Sequence, residues 1–213
     1  MRSKTDPKMT FKYWETVHKH NFPWEKVVQG YWKRYPNPNS SHVFSEDFWE
    51  VKVLDDGRLY TKRCIMKTNK LPSWGSHFFS AKRVPVTEET IVDARNKTLT
   101  TYTRNIGLRY FMGTTEKIVF RASKDSDEVT LAEKQVWIES SVFGFQSAIR
   151  SFGIDRFKKN CVAATNGFNW KLEEIFRSKE KGFPPTGNAI KLNHSSRFED
   201  GCPSNVQKFS LPS

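Results

Sequence analysis

The sequence predicts an α+β fold: about seven short antiparallel strands, a short helix near the start, and one long C-terminal helix. Three observations carry this. Between about residue 10 and residue 138, apolar residues alternate at period two in segments separated by turn-forming residues. After Ser140 the period changes, and Phe157, Cys161, Ala164, Phe168, Leu172 and Ile175 recur at steps of three and four, the stripe of a single helix. Near the start, "FPWEKVVQGYWKR" opens on Pro23, a helix-starting residue, and puts Trp24, Val27, Val28, Tyr31 and Trp32 on one broad face.

In chain order, a strand is expected from about Thr10 to Lys19, followed by the short helix. That helix must end near Arg34, because "RYPNP" fixes two φ angles and biases the preceding residues toward extended backbone. A cation at such a corner is either a solvated helix end or a positioned ligand for an anion. Phe44–Leu54 alternates next, with Trp49, Val51 and Val53 on one side; "DDG" at 55–57 is a hairpin turn, and "RLYTKRCIMK" alternates again. "VPVTEETIVD", "TLTTYTRNI", "TEKIVFRA" and "EVTLAEKQVWI" supply four more strands, with "ARNK", a Gly-bearing loop and "SKDSD" between them. "LPSWGSHFFS" at 71–80 fits no plain sheet. Its Trp74, Phe78 and Phe79 are either packed on the core or form a mobile cover over a ligand site. Beyond Phe176 the chain is rich in Pro, Gly, Ser and Lys without sustained period, and residues 177–213 read as a disordered tail. Residues 1–8 read as a basic extension, leaving 9–176 as one domain.

Thirty-five Lys and Arg against twenty-three Asp and Glu leave a net charge of +12, which implies anionic partners: nucleic acid, an anionic lipid surface or a phosphate ligand. No apolar run reaches the length of a membrane span, and the polar start shows no signal-peptide core. Cys64, Cys161 and Cys202 lie far apart without CxxC spacing, which argues against a disulfide framework or a zinc ribbon. The sequence has no GxSxG elbow, HExxH pair or Gly-rich phosphate loop, so no enzyme and no cofactor are expected. His18 and His20 share one strand face, but no further ligand accompanies them, so they read as surface histidines rather than a metal site. Glu88-Glu89 reads as a solvated face. A basic module that stacks single-stranded nucleic acid on exposed aromatics suits the composition, but the chain has no RRM signature, zinc finger or massed basic face. On the final helix, Phe152, Arg156, Asn160 and Ala163 step by four, four and three and so share a face beside the apolar stripe. That face suits either partial exposure or a pocket wall. Arg34, Lys67, Lys70 and Arg156 would suffice to hold a phosphate if the fold brought them together.

"RYPNP", "SSHV", "KTNKLPSW", "TYTRN" and "FGIDRFKKN", in this order from about Met9 to Phe176, resemble the PRELI family of phospholipid carriers of the mitochondrial intermembrane space. The resemblance implies a START-like cup, with a curved antiparallel sheet closed by the long helix around a lipid cavity. It implies a bound phospholipid as cargo rather than a cofactor, and no catalysis. By the same resemblance Arg34 contacts the headgroup phosphate, with His42, Lys67, Lys70, Arg156 and Asn160 as further headgroup residues. Leu71, Pro72, Trp74, Phe78 and Phe79 match the lid, and Phe152 and Ala163 the cavity wall. Ala163 stands where some relatives carry lysine, with Lys158 and Lys159 on a neighbouring face. Relatives pair with a small helical protein carrying twin Cys-x9-Cys motifs and dock transiently on anionic membranes; no nucleic-acid partner is implied. "FGF…AIRSFGIDRF" is similar to the phosphatidic-acid branch, which feeds cardiolipin synthesis, while phosphatidylserine stays open as the alternative cargo.

Overall fold

Period-two alternation builds one seven-stranded antiparallel sheet, and the two helices close over one of its faces. The computed structural model describes residues 11–68, 83–107 and 109–177. The elements are β1 (Phe11–His20), α1 (Trp24–Tyr31), β2 (Val43–Val53), β3 (Leu59–Thr68), β4 (Arg83–Asp93), β5 (Thr98–Asn105), α2 (Arg109–Met112), β6 (Gly113–Ala122), β7 (Thr130–Glu139) and α3 (Gln146–Leu172). A π-helical turn, Glu173–Arg177, extends α3 one residue into the segment expected to be tail. The seven expected strands are all present; the helical turn α2, just before β6, falls where only a loop was expected.

The sheet order is β1-β7-β6-β5-β4-β3-β2, so β2 to β7 form a meander and β1 joins at its far side. Register aligns inward-facing residues into rows across the strands. One row runs Arg63, Glu88, Thr103, Glu116, Val136 and Trp14; the next runs Thr61, Thr90, Thr101, Ile118, Lys134 and Thr16. A third, Leu59, Val92, Leu99, Phe120 and Ala132, is apolar. It meets Trp24, Val27 and Tyr31 of α1 and Phe168 and Leu172 of α3 to form the main core. Burying a Phe or Leu side chain contributes about 1.5–3 kcal/mol, so this cluster anchors both helices at one end of the sheet. At the other end, smaller clusters around Phe111 and Ile149, and around Val136, Ile138 and Ile154, hold the start of α3. The two ends are packed and the middle is not.

β2 departs from its expected pattern. It is an edge strand with register irregularities at Val43/Ser45 and Phe48/Glu50, and Val51 and Val53 are 60 % and 70 % exposed. Among the described residues its main neighbour is β3, with the Arg83 guanidinium of β4 4.9 Å from the Phe44 ring centroid, while α3 packs on β1 and β7 at the opposite side of the sheet. Alternation without a covering layer does not make a core face. Cys64 of β3 is fully buried.

Candidate functional site

The unpacked middle is a cavity of about 370 Å³ between the sheet and α3. Its apolar wall comes from Val84, Val86, Ile118, Phe120 and Ile138 of the strands and Phe157 and Phe168 of α3. Of the expected core stripe, Phe157, Cys161 and Ala164 border this cavity, while Phe168 lines its end and also packs in the main core beside Leu172. Arg156, Asn160 and Ala163 line the same cavity, but Phe152, expected beside them, is half-buried outside its wall.

Arg34 reaches the cavity from the corner after α1. The corner is built by Asn37, whose Nδ2 donates to the Arg34 carbonyl (2.7 Å) and whose Oδ1 accepts from the Asn39 amide (3.0 Å); the Tyr35–Pro36 bond is cis. Arg34 Nη1 donates to the Tyr31 carbonyl (2.9 Å), and its guanidinium lies 4.1 Å from the Tyr31 ring centroid and 4.7 Å from that of Tyr35. Its main partner was not foreseen: Nη2 lies 2.5 Å from Glu88 Oε2. Glu88 also receives Arg63 Nε (2.8 Å), and Arg63 in turn bonds Glu46. Burial opposes the charge on Arg34, but Glu88, together with Tyr31, Tyr35 and Glu46, outweighs it and holds its pKa well above the ordinary value. Burial pushes the Glu46 carboxyl up to about 7, with Arg34 pulling the other way. Glu88 is 3 % exposed, not part of a solvated face. It must point inward because Val84, Val86, Thr90 and Val92 do; Glu89 alone faces out, toward Lys62 at 3.3 Å.

His42 and Lys67 line the cavity side by side, joined by the bond from the Thr68 amide to the His42 carbonyl (2.8 Å). Two further charged residues, Glu116 and Lys134, face the lumen and were missed by the sequence reading. Lys134 is 6 % exposed and donates to Thr165 Oγ1 of α3 at 3.0 Å. Burial raises the Glu116 pKa, against the attraction of Lys134. Pairing the strands was the missing step, since both sit at inward positions of β6 and β7. Lys70 and the expected lid residues Leu71, Pro72, Trp74, Phe78 and Phe79 lie outside the described residues, as do the expected extension and nearly all of the expected tail.

His20 is not a surface residue: it is 1 % exposed, its ring packs on Phe168 at 5.2 Å, and its Nδ1 lies 2.6 Å from Asn169 Oδ1. The amide oxygen only accepts, so Nδ1 carries the proton. Among the described residues no three His, Cys, Asp or Glu side chains converge as metal ligands. Burial lowers the His20 pKa from 6.5 to about 4. The unfolded chain therefore takes up this proton below pH 6.5 while the folded chain does not, and stability falls as pH drops from 6.5 toward 4. Between pH 7 and pH 5 this amounts to about 2 kcal/mol. Urea melts at both pH values should show the wild type losing that much more than His20→Gln; equal losses would count against a neutral buried imidazole.

A family model described as the PRELI-like family matches residues 25–179. Among curated proteins, "PRELI domain-containing protein 1, mitochondrial" of Gallus gallus is 38 % identical over 156 residues, 72 % of this chain and 73 % of that one. The protein of the same name from Homo sapiens is 37 % identical, covering 71 % of each chain. "Protein UPS1, mitochondrial" of Saccharomyces cerevisiae is 28 % identical over 78 % of this chain and 98 % of its own. Among solved structures, TTHA0849 from Thermus thermophilus superposes with a TM-score of 0.52 at 15 % identity, covering 78 % of this chain and 99 % of that one. The Zhui aromatase/cyclase from Streptomyces sp. R1128 gives 0.50 at 15 %, covering 82 % and 100 %. At that identity these two speak to the fold alone, which is START-like.

Proposed function

Because the chain belongs to the PRELI-like family, we propose that it is a mitochondrial phospholipid transfer protein. In this reading it carries phosphatidic acid between membranes across the intermembrane space, in support of cardiolipin synthesis, and it carries without catalysing. The observation that bears most on this is the cavity, apolar along β4, β6 and α3 and cationic where Arg34, Lys67, Arg156 and Lys134 reach it.

Extracting a two-chain lipid exposes about thirty methylenes at ~0.8 kcal/mol each, roughly 25 kcal/mol if they met water. A carrier must offer an apolar interior to offset that, and it must pair the desolvated phosphate inside. His42, Lys67, Arg156 and Asn160 supply donors for the phosphate, with Arg34 behind them. Lys70 and a lid at 71–80 complete the reading by family resemblance. The +12 charge favours transient docking on anionic leaflets, at about 1 kcal/mol per nearby Lys or Arg. A small helical protein with twin Cys-x9-Cys motifs is the proposed heterodimer partner.

The test is movement of labelled phosphatidic acid from donor to acceptor liposomes by the co-expressed heterodimer, with phosphatidylserine and phosphatidylcholine in parallel. Phosphatidic acid should move selectively, and Lys67→Glu should slow it about tenfold or more, since a charge-assisted bond is replaced by repulsion. Selective movement of phosphatidylserine would reassign the cargo. No movement of any lipid would refute the carrier reading.

A further inference from the structure

The cations of the cavity are not equally available to an incoming anion. Arg34 and Arg63 are compensated in place: both bond Glu88, and Arg63 also bonds Glu46. An anion approaching Arg34 must therefore compete with a carboxylate already 2.5 Å away. Lys134 is different. It is buried at the middle of β7, and among the described residues no carboxylate lies within ion-pair distance of it. Its hydrogen bond is to the Thr165 hydroxyl, a neutral acceptor. The Cys161 thiol is a second neutral neighbour within hydrogen-bonding reach of this ammonium, which has three donors and lines the lumen. Glu116 faces the same space one strand away and one row toward the N-terminal ends of β4 and β6, without touching Lys134. The two are diagonal neighbours on adjoining strands and attract each other, yet they form no ion pair.

Burying an ammonium without a counter-anion is costly, and the cost is recovered when an anion arrives. A phosphate monoester carries about −1.5 to −2 charges at pH 7, whereas a phosphodiester carries one. The second charge needs a cation that no protein carboxylate already neutralises. Building on the carrier reading above, we propose that Lys134 is the residue that reads a phosphomonoester headgroup, supported by Thr165, and so sets the preference for phosphatidic acid over phosphodiester lipids with the same chains.

The experiment uses the full chain with its partner and compares transfer of phosphatidic acid and phosphatidylserine of identical acyl composition by wild type, Lys134→Met and Lys134→Arg. Lys134→Met should cut phosphatidic acid transfer at least about tenfold and phosphatidylserine transfer far less. Its thermal midpoint should be unchanged or higher, because an apolar chain of similar length replaces a buried charge. Lys134→Arg should keep most of the preference. Equal losses on both lipids, or undiminished phosphatidic acid transfer by Lys134→Met, would overturn the proposal, as would loss of fold in both variants, which would make Lys134 a structural residue. A wild type that moves phosphatidylserine alone overturns it while sparing the carrier reading. A wild type that moves neither lipid overturns that reading first.

Discussion

Arg34→Glu is expected to cost this protein its fold before it costs it a cargo. The substitution would place a third carboxylate against Glu88 and Glu46, inside a cluster where Glu88 is 3 % exposed. Removing one partner of a buried ion pair destabilises by about 3–5 kcal/mol, and reversing its sign adds repulsion. Against a typical total of about 5–15 kcal/mol, that leaves little or nothing. Denaturant melts should show a collapsed transition midpoint, and loss of transfer by this variant would say nothing about the headgroup. The informative variant is the swap Arg34→Glu with Glu88→Arg. It restores the pair and should recover most of the stability. Transfer should remain impaired, because the cation then projects from β4 instead of from the corner. Recovery of transfer in the swapped protein would show that charge balance alone, and not the position of Arg34, is what the site needs.

Gly167→Leu should be nearly as damaging, and through the same corner. A Cβ built at Gly167 lies 2.8 Å from Asn37 Cγ and 3.1 Å from Asn39 Cβ, where only hydrogen fits. Asn37 cannot retreat without releasing the Arg34 carbonyl, which its amide holds at 2.7 Å. Overpacking of this kind costs about 1–3 kcal/mol, and the lost bond adds about 1. The expected result is a fall of about 2–4 kcal/mol in urea unfolding. Residual transfer should be low even at temperatures where the variant is folded, since the guanidinium has moved with its backbone. Wild-type stability in Gly167→Leu would mean that α3 can shift away from the corner.

Arg34 was legible because two prolines fix the backbone around it, so local sequence alone marks the position as special. The strands and the stripe of α3 were legible for a related reason: period is a property of neighbouring residues. Glu88 and Lys134 were hidden because their meaning depends on strands distant in sequence. Glu88-Glu89 in the strand "VPVTEETIVD" looks like a solvated face until β4 is placed centrally between β3 and β5, where every second residue must face inward. His20 was misjudged for the same reason, since Asn169 and Phe168, which bury and bond it, come almost 150 residues later. The apolar stripe of α3 was correctly seen, but only its later part, Phe168 and Leu172, packs in the main core, while Phe157, Cys161 and Ala164 border the cavity. Periodicity shows which face is apolar; it cannot distinguish a packed neighbour from a void.

The sheet order has a consequence in time. From β2 to β7 each strand pairs with its predecessor, so the meander can grow one hairpin at a time as contacts of short sequence separation form. β1 has no such neighbour: Glu15 pairs with Gln135, and Phe11 with Glu139. Bringing such distant ends together costs about 3 kcal/mol more chain entropy than closing a five-residue turn. The first strand made is therefore the last to find its place. Until β7 exists, β1 and its exposed Phe11, Tyr13 and Val17 have no home in the sheet. The lipid cup can close on that side only at the end of folding.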